Sequence, residues 1–370
     1  LSTGASNSAL IISLSALHCV LGFTMTHTFS LSQLGWQAFF QQQLSLEEWE
    51  NHVAWRVLAQ HRATLELISE RGLFTLALTP NMPNLTVGDW LLLDLDFKFV
   101  RALDRLSLFA RKAAGSKIDR QSIAANIDTV FIVSSLNHDF NLSRLERYLA
   151  LAKGAQVEPV VVLTKLDCCE EPESYSQQAQ GLDPMLMVLA VNGLDVSSVN
   201  ALSPWCRSGK TLAFMGSSGV GKSTLVNTLL GEGEQDTGGV RDDDSKGRHT
   251  TTARSLHPMP GGGLLLDTPG MRELQLTDCE DGVHEAFGDI SELAQSCKFQ
   301  DCCHQQEPGC HVKAAVEAGT IDARRLNNYL KLLREQAFND ASIAERRATS
   351  RSLGRFYRSV QTETKQRKNK

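Results

Sequence analysis

Eight consecutive residues, Gly216-Ser217-Ser218-Gly219-Val220-Gly221-Lys222-Ser223, have the composition of a loop that wraps a polyphosphate. Glycines let backbone N–H groups turn inward around phosphate oxygens, and a helix starting at the loop's end adds partial positive charge. Lys222 would reach the terminal phosphates and Ser223 would coordinate Mg²⁺. An apolar run, Thr211–Met215, precedes the loop and a helix-like segment, Ser223–Leu230, follows it, which is the strand–loop–helix setting the motif needs.

A second apolar run, Leu264–Leu266, ends in Asp267-Thr268-Pro269-Gly270. A carboxylate at Asp267 suits the outer shell of Mg²⁺, and Gly270 can give its N–H to a γ-phosphate. By itself the tetrapeptide is an ordinary turn; its setting after a phosphate loop makes it a switch. Thr164-Lys165-Leu166-Asp167 follows the strand-like Pro159–Leu163. The Asp167 carboxylate can accept both N1–H and the 2-amino group of guanine, donors that adenine lacks, and the stem of Lys165 can lie along the base. Leu166 completes that loop. Thr164 stands where Asn is usual; it keeps a hydroxyl and loses an amide. Val188–Gly193 is placed to reach the guanine O6 by backbone N–H, although Leu189 replaces the usual small polar residue. Together these motifs select GTP over ATP.

Their order is unusual. The base motif precedes the phosphate loop, which precedes Asp267, so the nucleotide domain is circularly permuted relative to common GTPases. Between phosphate loop and switch lies Gly247-Arg248-His249-Thr250-Thr251-Thr252, where Thr251, or next Thr250, would complete the Mg²⁺ shell. Met271 follows Gly270, where many GTPases carry the glutamine that orients water. Methionine cannot do this, so His249 is the candidate, with a purely stabilising switch histidine as its rival. Slow intrinsic turnover, accelerated by a partner, is expected.

Cys297, Cys302, His304 and Cys310 have the spacing C-x4-C-x-H-x5-C. Three thiolates and one imidazole make a closed tetrahedral Zn²⁺ site, structural because no position stays open. Cys303 lies between two of them and competes for the assignment. Four reduced surface residues in a loop are the bland alternative. The odd total of nine cysteines, four of them within this segment, points to metal ligation in a reducing compartment rather than paired disulfides. Cys168, Cys169, Cys206 and Cys279 have no partner pattern and read as packing residues.

The elements that must hold these groups are legible from hydrophobic pattern. At 370 residues with 42% hydrophobic content the chain should form two or three globular domains. Five short β-like runs between Arg56 and about Leu106 fit a small barrel such as an OB-fold. A polar link, Arg111–Gln121, leads to alternating strands and helices, with continuous apolar strands at Thr129–Val133, Pro159–Leu163, Met185–Ala190 and Thr211–Met215. That alternation predicts a mainly parallel α/β sheet. Ser143 and Glu146 have capping-box spacing at the start of one helix. A helix is expected over Ile321–Phe338. The predicted domains are an extension, partly disordered, over 1–45, the barrel over 46–112, the permuted nucleotide domain over 113–275, an α-helical zinc domain over 276–340 and a basic tail over 341–370.

A net charge of −5 gives no global case for a polyanionic partner. The tail differs: nine Lys or Arg against two Glu from Glu345 to Lys370 could bind phosphate backbone, or form a solvated terminal helix. The apolar run Ala9–Phe23 lacks a basic leader and is too short and polar to span a bilayer, so residues 1–24 are read as a poorly ordered extension and the protein as cytoplasmic, with no membrane partner.

The permuted order, Gly247–Thr252, Asp267–Glu273 (DTPGMRE), Asn126–Asp128, Phe140–Tyr148 and Glu307-Pro308-Gly309-Cys310 resemble the RsgA/YjeQ family of small-subunit-dependent ribosomal GTPases. The likeness runs from about Leu34 to Arg334. It implies an N-terminal OB-fold, a permuted G domain and a C-terminal zinc domain. It implies GTP hydrolysis stimulated by the small ribosomal subunit late in its assembly and coupled to release. Its partners would be that subunit, its rRNA and GTP/GDP, and the chain would be a monomer. The alternative from another class is an RNA-binding scaffold that senses GTP with little turnover; Met271 permits it, while Lys222, Ser223 and Asp267 oppose it.

Overall fold

A computed structural model describes residues 29–112, 120–231, 254–267 and 279–340. Two short helices, α1 (Ala38–Gln41) and α2 (Leu46–Asn51), lead into antiparallel strands β1 (His52–Gln60), β2 (Thr64–Ser69), β3 (Gly72–Ala77), β4 (Trp90–Asp94) and β5 (Phe99–Ala102). β1 pairs with both β2 and β4, β3 extends β2, and β5 extends β4. Register shifts between Val57 and Ala59, and between Leu92 and Leu93, mark bulges that bend and coil the strands. Trp55, Val57, Leu65, Leu67, Leu91 and Leu93 fill the inside.

Residues 29–45, expected to belong to the extension, are part of this body. Leu34 and Phe40 are buried beside Trp90 and Leu92, because the outer face of β4 is apolar and needs a cover. Arg56 holds the cover in place. It is fully buried, donates to Leu34 O at 2.5 Å and Asn126 O at 3.0 Å, and lies over the Trp90 ring. Burial lowers its pKa to about 10, partly countered by the charges of Asp128 and Asp89, so it stays protonated at neutral pH. The segment read as a polar link is a hairpin instead. β6 (Leu108–Lys112) pairs with β7 (Arg120–Ala125), and the boundary expected between residues 112 and 113 falls inside it. Polar side chains hid these strands, yet Phe109, Ile123 and Ala124 are buried.

The α/β part follows as β8 (Thr129–Ser135), α3 (Leu142–Gly154), β9 (Glu158–Thr164), α4 (Pro172–Gln180), β10 (Met187–Ala190), α5 (Val196–Val199), β11 (Thr211–Gly216), α6 (Lys222–Leu230), β12 (Arg254–Pro258) and β13 (Leu264–Asp267). The strands run in the order β10-β9-β8-β11-β13, all parallel, with β12 antiparallel at one side and joined to the end of β1. Every residue of β8 and β11 is buried, as a sheet covered on both faces requires. Period-2 alternation sends Val130 and Ile132 to one core and Phe131 and Val133 to the other. α6 covers the second face through Leu225.

The capping-box expectation at Ser143 and Glu146 is corrected. Asn141 caps α3, accepting the Arg144 N–H at 2.9 Å, and Ser143 lies inside the helix. Glu146 is fully buried and serves the C-terminal helices α7 (Glu280–Ala286), α8 (Gly288–Gln295), α9 (His311–Glu317) and α10 (Ala323–Asp340). α10 begins two residues later than predicted. α7 lies against α3 so closely that a Cβ on Gly282 would overlap the backbone of Ala150 and Gly154. Val283, Phe287, Ile290 and Tyr329 therefore share one core with α3 and the sheet. The C-terminal helices are built onto the nucleotide domain rather than tethered beside it.

Candidate nucleotide site and metal centre

Strand order locates the site. From β8 the chain moves outward through β9 to β10, and from β11 it moves the other way to β13, so the topological switch lies between β8 and β11. Ligands of open α/β sheets bind at the carboxyl ends of the strands flanking such a point. The carboxyl ends here carry Ser135, Thr164, Ala190, Gly216 and Asp267. The base motif, the phosphate loop and the switch carboxylate thus share one sheet edge despite their permuted order.

The phosphate loop leaves β11 at Gly216, whose φ of 154° and contact with Val133 O leave no room for a Cβ. Gly219 (φ 77°) and Gly221 (φ 91°) take left-handed conformations that turn the backbone around the loop. Gly221 is the N-cap of α6, a nine-residue helix, so the helix's unpaired N–H groups face the loop's concave side. Lys222 Nζ donates to Gly216 O at 2.9 Å and to Ser217 O, which keeps the ammonium at the loop. Ser218, Gly219 and Ser223 are exposed there, and Val220 is buried beneath.

At the end of β9, Thr164 is buried and its Oγ1 donates to Val220 O at 2.6 Å. The base motif is tied directly to the phosphate loop. Lys165 then adopts a left-handed conformation (φ 63°, ψ 39°), sparse for a residue with a side chain and common where function fixes the backbone. It starts a 3-10 turn, Leu166–Cys168, that leaves Asp167 exposed at the tip. The Cys168 thiol donates to Asp167 Oδ2 at 3.3 Å, and this carboxylate raises the thiol's pKa. The neighbouring loop is close by: Leu166 N–H reaches Val191 O at 3.3 Å, and Gly193 O accepts Thr228 Oγ1 of α6 at 2.7 Å.

Asp267 ends β13 as an exposed residue; its strand pairs with β11 through Ala213 and Leu266. Thr268, Gly270, Met271, His249, Thr250 and Thr251 lie outside the described residues, as does the basic tail after Asp340. One group at this edge lies within the Phe140–Tyr148 segment but was given no role there. Arg144, in the first turn of α3, donates to Ser217 Oγ at 2.5 Å and to both oxygens of Asp139 at 2.9 Å. No periodicity or charge pattern distinguishes it from an ordinary helix arginine.

The second cluster is brought together by the loop between α8 and α9. The ligand atoms of Cys297, Cys302, His304 and Cys310 all lie within 4.8 Å of one another. Cys297 Sγ is 3.9 Å from Cys310 Sγ, and His304 Nδ1 is 3.7 Å and 3.4 Å from those sulfurs. A left-handed His304 (φ 57°) turns the ring inward. Glu307 pins the turn by accepting the N–H groups of Cys303, Gln305 and Gln306, and Cys303 points its thiol at Asp301 O. That orientation takes Cys303 out of the cluster. Burial lowers the His304 pKa, which favours the neutral imidazole that metals bind. Burial, with the adjoining Cys310 and Cys297 thiols, pushes Cys302 up to about 11, whereas at Cys297 burial is outweighed by the backbone hydrogen bonds of Val312 and His311, which lower the thiol's pKa. The four residues can hold one metal ion.

The family model described as RsgA GTPase matches residues 102–277. The chain is 58% identical over 351 residues to the small ribosomal subunit biogenesis GTPase RsgA 2 of Vibrio parahaemolyticus, covering 92% of this chain and 98% of that one. The chain belongs to the RsgA GTPase family. A further RsgA, from Mesorhizobium japonicum, is 46% identical and covers 88% of this chain and 95% of its own. The crystal structure of YjeQ from Thermotoga maritima matches with a TM-score of 0.59 at 25% identity, covering 77% of this chain and 98% of that one. YloQ, described as a circularly permuted GTPase, matches in fold with a TM-score of 0.57 at 22% identity over 77% of this chain and 94% of its own. No helix among the described residues is long and apolar enough to cross a membrane.

Proposed function

We propose that this protein binds the small ribosomal subunit and hydrolyses GTP late in that subunit's maturation, with hydrolysis stimulated by the subunit and coupled to release. The observation that carries the reading is the tie between Thr164 and Val220, which joins a guanine-type loop to a phosphate-type loop at one sheet edge. Gly216–Ser223 would hold the phosphates, with Lys222 neutralising charge on the terminal groups. Asp167 would read the base. Ser223 and, at one remove, Asp267 would hold Mg²⁺, which supplies charge neutralisation when bound with GTP; Thr251 would complete its shell. Gly270 would sense the γ-phosphate and His249 would orient water.

The four-residue cluster is read as a structural Zn²⁺ site. A tetrahedral ion with bonds of about 2.3 Å to sulfur needs sulfurs about 3.8 Å apart, close to the 3.9 Å between Cys297 and Cys310. The β1–β5 body is read as an OB-fold that contacts rRNA, aided by the basic tail, in a cytoplasmic monomer. Sedimentation of the full chain with purified small subunits tests this. Co-sedimentation should be strong with a non-hydrolysable GTP analogue and weak with GDP; absence of binding in both states would refute the ribosomal reading.

A further inference from the structure

The base motif starts with threonine where an amide side chain is usual, and its hydroxyl has one proton to give. Two carbonyl oxygens lie within reach of Thr164 Oγ1, Val220 O at 2.6 Å and Ser134 O at 3.3 Å. The proton goes to the nearer one. The side chain is 2% exposed, and its Oγ1 would lie 3.5 Å from a Cβ on Gly221, so it is packed against the phosphate loop. A β-branched side chain has few rotamers, and turning this one outward would give up the bond to Val220.

Guanine presents two donors, N1–H and the 2-amino group, and two acceptors, O6 and N7. An amide at position 164 has two N–H groups and could tie the loops while still serving N7. A hydroxyl cannot do both. We infer that this chain reads guanine without a side-chain donor to N7, Thr164 acting as the tie between the base loop and the phosphate loop. Base selection then rests on Asp167, exposed at the tip of the same turn, and on O6. This rests on the guanine-site reading above and adds which edge of the base is recognised.

The test is equilibrium binding of the full chain to GTP, 7-deaza-GTP, which lacks the N7 acceptor, and ATP. The wild-type protein should bind 7-deaza-GTP within about twofold of GTP, since a neutral hydrogen bond, were it made, is worth roughly twofold to tenfold. Thr164→Val removes the tie at nearly constant shape and should weaken GTP and 7-deaza-GTP by the same factor. Thr164→Asn should introduce a preference for GTP over 7-deaza-GTP of about threefold or more. A wild-type preference for GTP over 7-deaza-GTP of about threefold or more, lost on Thr164→Val, would overturn the inference. The wild-type ratio decides the matter whether or not the asparagine variant folds. ATP bound as tightly as GTP would instead overturn the guanine-site reading, a separate failure because adenine also carries N7.

Discussion

Arg325 of α10 donates from Nη1 to Glu146 Oε1 of α3 at 3.0 Å, and neither side chain has more than marginal access to solvent. Arg324 reaches both Glu146 oxygens at 3.0 Å and Asn328 adds a further donor, so four side-chain contacts from one C-terminal helix converge on one buried carboxylate. Arg325 also pairs with Asp289 at 2.8 Å and lies over the Phe287 ring. The same helix α3 contacts the phosphate loop through Arg144 and Ser217. The phosphate-loop contact and the contacts to the C-terminal helices thus sit side by side on the first two turns of α3, which positions those helices.

Removing one partner from a buried ion network leaves charge uncompensated, at a cost of about 3–5 kcal/mol. Glu146→Ala should therefore lower stability by that order, read as a shifted midpoint in denaturant. Arg147→Ala breaks the Arg147–Glu335 pair, which is 2.6 Å long and partly exposed at both ends, and should cost about 1 kcal/mol or less. Equal effects from the two variants would contradict the assignment of Glu146 as the centre of the contact.

The metal cluster predicts a stoichiometry. Purified protein should carry about one zinc ion per chain, and Cys297→Ser or prolonged chelation should lose it. Loss of metal should also melt the loop between α8 and α9, seen as faster hydrogen exchange over 297–310. Cys303→Ser, whose thiol faces Asp301 O, should keep the metal. Zinc retained by Cys297→Ser and lost by Cys303→Ser would invert the ligand set.

Acid should expose a different contact. Glu48 completes a capping box with Ser45 and is bound by Arg101 at 2.7 Å. The Arg101 hydrogen bond, then that of the Ser45 N–H, lowers its pKa from 4.5 to about 2. A carboxylate with a depressed folded pKa stabilises above its unfolded value and loses that contribution as pH falls through the folded one. The stability gap between the protein and Arg101→Ala should thus be constant above about pH 5 and shrink between 4.5 and 2. A gap that widens over that interval would contradict the pairing.

How much of this was legible in the residues varies with physical cause. The phosphate loop was readable because glycine is demanded at fixed positions, and β8, β9 and β11 because burial on both faces forces continuous apolar runs. The gathering of Cys297, Cys302, His304 and Cys310 was readable because three thiols and an imidazole within 14 residues have few other uses. Elements whose reason lies far away in sequence were not. The cap of α3 was misplaced because Glu146, which looked like a capping carboxylate, is claimed by arginines about 180 residues later. β12 carries only Leu256 as a buried strand residue, and its Arg254 is held by Ser122 O of the hairpin. Residues 29–45 looked like an extension because their burial depends on Trp90 and Leu92.

In the catalytic loop, Lys222→Ala should lower turnover by roughly 10²–10³-fold, the usual effect of losing a charge aimed at the transferring group. His249→Ala should lower subunit-stimulated turnover comparably while leaving GTP affinity within about threefold. Unchanged stimulated turnover would remove His249 from the mechanism and leave it a stabilising residue.

The central claim is that the small subunit switches on hydrolysis at this permuted site. Steady-state GTP hydrolysis by the full chain, with and without purified small ribosomal subunits and beside Lys222→Ala, measures it most directly. Turnover should be slow alone, rise about tenfold or more with subunits, and stay near background for the lysine variant. Turnover indifferent to subunits, or stimulation that survives Lys222→Ala, would contradict the account.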